Sequence, residues 1–368
     1  MRRLGFPRLE KHRVGGFGDR MELSYPAPRT PSGKVYQYSP NPDAAPRLFL
    51  IGDAPEMRQV SEDHRHRIRR DPGPGETVCP YSGYLAKDED FVHLDDIEAI
   101  KKQVVHEASA DLNDYLAEFA RDFNRKQRPG GFISMKMDFK PAHRPRPLVI
   151  REDLMRDLQC DACERAYAVY AIALFCPDCG APNLALHFGR EVALVGEQIA
   201  IADGHADAGK PEIAYRLTGN AHEDVLTAFE TALKTVYKHL VRHHLPDRAA
   251  ELCSKRAVGN AFQNIDRARE KFGLIGIDPF AGMGTDDLDL LTLNIQKRHV
   301  IGHNLGIADE HYVELTQDEQ PGRTVRLIGA EIARFADICL SVVSTLEERL
   351  LPSAVNPAKN EGGGDAAG

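Results

Sequence analysis

The chain has 368 residues, of which 42% are hydrophobic and 28% charged, with a formal net charge of −8. That length predicts two or three domains of ordinary globular composition. No apolar run reaches the ~18 residues of a membrane span, the acidic balance argues against wholesale coating of nucleic acid, and Met1-Arg2-Arg3-Leu4-Gly5-Phe6-Pro7 is not followed by the apolar stretch of a signal peptide.

Charge is distributed unevenly. Residues 1–70 carry 14 Lys and Arg against 8 Asp and Glu, and His64 and His66 lie in the basic run Arg65, Arg67, Arg69, Arg70. A second basic stretch runs from Arg125 to Arg146. Strips of this kind suit phosphate backbones, although charge also simply keeps loops solvated. Residues 1–75 are rich in Pro, Gly and Arg and read as loop or arm, with strands predicted at Val35–Tyr38 and Arg47–Gly52. Cys79-Pro80-Tyr81-Ser82-Gly83 has the outline of a zinc knuckle whose second cysteine has become serine. His64, His66 and His93 are the candidates to complete it; a knuckle-shaped turn without metal is the preferred reading. These features define an N-terminal basic region with a degenerate knuckle over 1–93.

Apolar residues recur at helical spacing from Leu94 to about Lys126 (Ile97, Ile100, Val104, Leu112, Tyr115, Leu116, Phe119, Phe123), which predicts a long amphipathic helix with a break near Ser109. Pro129-Gly130-Gly131 would end it, and 141–147 forms a Pro-rich linker, so 94–147 is read as helix plus linker. Residues 148–200 are expected to be a zinc ribbon. Cys160-x2-Cys163-x12-Cys176-x2-Cys179 offers four thiolates in two knuckles, the donor set of a tetrahedral structural zinc. Gly180 fits the tight turn after the second pair, and Tyr167–Ile172 would be a ribbon strand. The set lacks an open position, so the metal is read as structural and as part of the folding free energy. Paired C-x-x-C motifs, rather than a disulfide framework, place the chain in a reducing cytoplasm.

From Ala221 to about Leu351 the pattern is helical. The elements expected are His222–His244 (buried stripe Val225, Leu226, Phe229, Leu233, Val236, Tyr237, Leu240), a helix from Pro246 to Phe272, a loop over 276–284, a helix opened by Asp286-Asp287, a turn-rich excursion over 311–328 with a short strand at Val325–Leu327, and a final helix Ala330–Leu351. The tail 352–368 has nothing to bury and is expected to be disordered. The fold class expected is multidomain and mainly α, with a mixed, irregular N-terminal region.

The third helix of this domain ends in Arg298-His299-Val300-Ile301-Gly302-His303-Asn304. Arginine is a permanent cation suited to phosphate, and histidine exchanges protons near neutrality. Five residues on a regular helix subtend about 140°. Arg298 and His303 would therefore meet only if Gly302 loosens the helix or if a second subunit completes the cleft. Arginine and histidine at a helix end also serve simply to cap carbonyls.

Set in an all-helical module, the phrase Gln296–Asn304 resembles the signature of the HEPN superfamily, in particular a bacterial Arg-x4-His subgroup. The resemblance covers roughly 215–351 and implies a four-helix HEPN-like bundle. It further implies metal-independent endoribonuclease activity in a homodimer. The RNA 2′-hydroxyl would attack the adjacent phosphate, leaving 2′,3′-cyclic phosphate and 5′-hydroxyl ends. His303 would act as general base or acid and Arg298 would stabilise the phosphorane-like transition state, with His299 or Asn304 orienting the phosphate or the base. Relatives serve as toxins or in phage defence, which implies RNA as partner and an antitoxin or regulatory partner. The alternative is a non-enzymatic zinc-ribbon nucleic-acid-binding or adaptor protein whose helical domain only dimerises or binds a partner.

Lesser candidates are the i, i+4 pairs His299/His303 and His239/His243 as metal ligands. Glu230, Asn260 and Asn264 are polar positions among apolar ones that would support the cleft or face solvent. Cys253 and Cys339 fall on apolar helical faces and read as core.

Overall fold

The computed structural model describes residues 5–17, 20–53, 60–126, 136–141, 155–316 and 320–352, with the side chains of His303, Leu315 and Thr316 excepted. The expected helix stop at Pro129-Gly130-Gly131, linker residues 142–147 and the tail from 353 lie outside them.

The N-terminal region contains helix α1 (Pro7–Glu10), a hairpin of β1 (Arg13–Gly15) and β2 (Glu22–Leu23), strands β3 (Val35–Tyr38) and β4 (Leu48–Ile51), the turn of helix α2 (Glu62–Arg65), and a hairpin of β5 (Glu76–Val78) and β6 (Leu85–Lys87). Strands β3 and β4 fall where the sequence placed them. Their alternation buries Tyr36 on one side, while Phe49, Leu50 and Ile51 are all covered. The ribbon strands β7 (Arg156–Gln159) and β8 (Ala166–Val169) join them in one antiparallel sheet of order β3-β4-β8-β7. Two regions read as separate units in the sequence therefore share a sheet, because Phe49–Ile51 pair with Tyr167–Val169.

Helix α3 (Leu94–Lys126) is one continuous element of 33 residues, without the expected break. Ser109 stays helical because its hydroxyl donates to the Val105 carbonyl one turn back, at 2.7 Å. The predicted apolar stripe is not the buried face: the buried residues of α3 are Asp96, Asp111 and Ala120. The N-terminal arm holds it by polar contacts instead. The Arg8 backbone N–H and guanidinium donate to Asp111 at 2.9 and 2.6 Å, and the Tyr25 hydroxyl donates to Glu107 at 2.6 Å.

The C-terminal bundle is built from α4 (Leu184–Asp207), α5 (Pro211–His244), α9 (Thr285–Asn304) and α11 (Gly329–Glu347). Helix α4 begins directly after the ribbon and packs along α5 and α11, so the expected boundary at residue 200 falls inside a helix of the bundle. Helix α5 begins at Pro211, eleven residues before the expected start, and buries the whole predicted stripe. The single helix expected over Pro246–Phe272 is instead a series of short turns: α6 (Ala249–Leu252), α7 (Lys255–Val258), a 3-10 turn at Ala261–Gln263, and α8 (Ile265–Gly273). Two caps interrupt it. Ser254 accepts from the Ala257 N–H, Asn264 accepts from the Arg267 N–H, and Gly259 takes a positive φ of 42° between them. In the excursion, helix α10 (Glu310–Thr316) stands where turns were expected, and residues 325–327 form no strand; among the described residues the only ladder contact there is the isolated bridge Ile307–Thr324. The main core joins bundle and ribbon: Val78, Ile172, Leu174 and Phe175 lie in one buried cluster with Phe188, Phe229, Tyr237 and Phe335. Cys339 is fully buried there and Cys253 packs at its edge, as their apolar faces suggested.

Candidate functional site

The two sites expected from the sequence lie in the ribbon and in the bundle. In the ribbon, the four thiols of Cys160, Cys163, Cys176 and Cys179 are buried and lie within 4.8 Å of one another. The Sγ separations are 3.8 Å for Cys160–Cys179 and 3.6 Å for Cys163–Cys176. A disulfide would need about 2.05 Å. Tetrahedral thiolates at ~2.3 Å from a metal lie ~3.8 Å apart, so the cluster has the size of a four-sulfur metal site. The backbone accounts for it. Cys160 N–H donates to the Arg165 carbonyl and Glu164 N–H to that of Cys160; Cys176 N–H donates to Ala181 and Gly180 N–H to Cys176. Each knuckle closes on a left-handed residue, Glu164 (φ 58°) and Gly180 (φ 71°). The Asp178 N–H points at the Cys176 sulfur, 3.4 Å away.

Cys79-Pro80-Tyr81-Ser82-Gly83 repeats this turn bond for bond: Cys79 N–H donates to Tyr84, Gly83 N–H to Cys79, both at 2.8 Å, and Gly83 has φ 71°. Among the described residues Cys79 belongs to no cluster of three metal-binding side chains. The turn is used for packing instead. The Arg69 side chain lies against Gly83 and Gly180, where a Cβ would collide with it, and its guanidinium sits 3.8 Å over the Phe175 ring. Nothing in the local pattern around Arg69 signals this role.

In the bundle, Arg298 sits on α9 with its guanidinium 3.2 Å from the Glu230 carboxylate of α5. Gln263 donates to the same Glu230 oxygen at 2.9 Å, and His299 lines the same small depression, with Phe229 and Phe262 in its walls. Glu230 thus faces the cleft rather than solvent, whereas Asn264 is spent as the cap of α8. The next-door Lys297 is buried and donates to the Arg326 carbonyl at 3.1 Å, fastening the 320s loop to α9.

Gly302 does not loosen the helix. Helix α9 runs through it to Asn304 and stops at Leu305 (φ 52°) and Gly306 (φ 78°), whose N–H reaches back to the Val300 carbonyl. Gly302 is exposed on the helix, and the nearest atom to a Cβ built there is a side-chain oxygen of Glu223 at 3.4 Å, an ordinary contact. Asn304 donates to the Ile307 carbonyl at 2.6 Å, an engagement in the helix stop. The backbone of His303 lies in α9; its side chain lies outside the described residues.

Three other histidines of the bundle helices, His187, His222 and His239, are buried core groups. Burial pushes His222 down to about 4 and His187 to about 3, and holds His239 well below its ordinary value. His222 bonds Asn294 at 3.1 Å, and His187 Nδ1 accepts from the Ala173 N–H at 3.0 Å. His239 packs on Phe175 and His243 with ring centroids at 5.1 and 4.5 Å, an aromatic contact without a third ligand among the described residues.

No family model, no curated protein and no solved structure matches this chain. No helix among the described residues is long and apolar enough to cross a membrane.

Proposed function

We propose that the chain is a metal-independent endoribonuclease with a HEPN-like helical domain, in which Arg298 and His303 from two subunits line one cleft, and that the four-cysteine site of its ribbon holds structural zinc. The observation that carries the reading is the position of Arg298. A basic residue near a helix end ordinarily caps carbonyls, but here Leu305, Gly306 and Asn304 close α9. Arg298 is left to a small, mainly apolar depression in which Glu230, Gln263 and His299 are the other polar groups and Leu226, Phe229, Phe262 and Ile295 form the walls. A guanidinium held by a carboxylate at 3.2 Å is fixed in place yet still partly open to solvent. A phosphate competing for it would gain charge-assisted hydrogen bonds and would place developing negative charge beside a permanent cation. His303 follows five residues later on the same regular helix, so about 140° separates the two. The imidazole acting beside Arg298 therefore comes from the second subunit, which makes the homodimer part of the chemistry.

Purified protein incubated with labelled RNA in magnesium-free buffer should cut it to cyclic-phosphate ends. Arg298→Ala and His303→Ala should each lower the rate by about 10²–10³-fold, the usual scale for losing a charge stabiliser or a general acid–base. Variants that cut as fast as wild type would sink the assignment. A second reading is favoured by the neutralisation of Arg298 by Glu230 and by the use of Asn304 as a helix stop. In that reading the protein binds nucleic acid without cutting it, and RNA binding with no cleavage in the same assay would select it.

A further inference from the structure

Glu230 is also the first member of a row on α5. Lys234, Lys238 and Arg242 follow it at intervals of four residues. Each step advances ~6 Å along the helix and turns ~40°, so the row winds about a third of the way round α5 between Glu230 and Arg242. Its start is fixed by Glu230, which is held by Arg298 and Gln263. Its middle runs beside α6, where the Cys253 thiol lies 3.7 Å from the Lys238 carbonyl. Arg242 is exposed, and Lys234 and Lys238 are half-buried.

Like charges at i, i+4 destabilise a helix slightly, by a few tenths of a kcal/mol per pair, and a surface helix ordinarily interleaves acids to avoid this. Here none of the three cations forms an ion pair among the described residues. Glu230 is engaged by Arg298, and Glu251 on α6 is shared with Arg248. The Lys238 amine is pushed below its ordinary value by burial and then by Lys234 and Arg242. In a chain of net charge −8, an unneutralised row beginning at the candidate cleft calls for an anionic partner spaced along a line. A nucleic-acid backbone has that form, and basic grooves that track it are how single strands are held without sequence preference.

We infer that Lys234, Lys238 and Arg242 form a track for the phosphate backbone of an RNA strand, leading from the Arg298 cleft towards the C-terminal end of α5. The inference takes the strand to be RNA from the ribonuclease reading; the track itself rests on the row. It lies outside the basic stretches at 1–70 and 125–146.

Binding is measured by fluorescence anisotropy across a salt series with an about 12-nucleotide 2′-O-methyl RNA, which lacks the attacking hydroxyl and so reports binding apart from cleavage. Wild type against Lys234→Gln/Lys238→Gln/Arg242→Gln should show a loss of affinity above tenfold. The slope of log affinity against log salt should fall by about 2, for three phosphates at ~0.7 each. Should the triple variant fold poorly, Arg242→Gln alone, at an exposed position, should lower the slope by about 0.7. An unchanged affinity and slope overturns the track. A DNA strand of the same sequence bound as tightly, with the same sensitivity to the triple substitution, overturns the assignment to RNA. Cleavage of ordinary RNA that persists in a variant with unchanged slope leaves the nuclease reading standing without the track. Lost binding in the triple variant of a protein that never cuts RNA removes the nuclease and keeps the track.

Discussion

Leu305 follows the last residue of α9 in a left-handed conformation, with φ 52° and 91% exposure. That conformation costs a leucine roughly 1 kcal/mol, and glycine or asparagine takes it more easily. A strained, exposed leucine two residues after His303 is apolar surface at the end of α9, and the proposed second subunit would cover it. Light scattering should give wild type a mass twice 40.9 kDa. Leu305→Asn should move it towards one chain mass without lowering the thermal midpoint, because asparagine tolerates the backbone. A dimer unaffected by Leu305→Asn would place the interface elsewhere. At this scale the sequence identified the basic and imidazole groups, but not their partners. Glu230 stayed open between cleft and solvent because its pairing with Arg298 links positions 68 residues apart, beyond the reach of periodicity.

Where ribbon meets bundle, the elements are tied by Glu347, in the last turn of α11. Its carboxylate accepts from the Ala185 N–H at 2.7 Å and lies 3.4 Å from Arg67, which also holds Asp161 at 2.7 Å. The N-terminus of α4 needs this help, because the side chain of Asn183 at its cap position accepts from none of the helix N–H groups: its Oδ1 faces the Cys160 sulfur at 3.8 Å while its Nδ2 donates to the Tyr167 hydroxyl. Burial pushes Glu347 up to about 7, against the opposing pull of Ala185 and Arg67. A carboxylate with a raised native pKa contributes its stability fully below about pH 4.5, and that contribution fades as pH rises through 7. Glu347→Gln removes the ionisation and keeps an acceptor for Ala185. The unfolding free energy of the variant minus that of wild type, from urea titrations, should therefore rise by on the order of 3 kcal/mol between pH 5 and 8. A flat difference would show that Glu347 does not titrate in that window. Helix positions themselves were legible from apolar spacing, as α5, α9 and α11 show. The failure over 246–273 came from the N-caps Ser254 and Asn264, which start new helices locally despite a continuing apolar pattern.

Across the whole molecule, the four cysteines sit in a buried cluster with Phe49, Tyr81, Phe91 and Tyr167, which belong to both the N-terminal region and the ribbon. Phe175, one residue before Cys176, belongs to the bundle core. Metal loss should therefore spread beyond the ribbon. Elemental analysis should find one zinc per chain. Removing it with a strong chelator, or by Cys176→Ser, should abolish the single cooperative melt and expose apolar surface to a hydrophobic dye, since binding energy of a structural zinc is folding energy. A metal-free protein with an unchanged melt would show the thiol cluster to be self-sufficient.

The amino-acid sequence by itself determined what depends on short intervals: the two knuckles, most of the long helices, and the Arg298–His303 run on one of them. Tertiary structure alone decided what depends on distant residues. It gave Arg298 its carboxylate, brought α4 into the bundle in place of the broken 246–273 segment, and joined β4 to β8 across more than a hundred residues. The physical reason is that hydrophobic period and cap chemistry act within a turn or two of the chain, whereas burial and ion pairing answer only to what lies nearby in space.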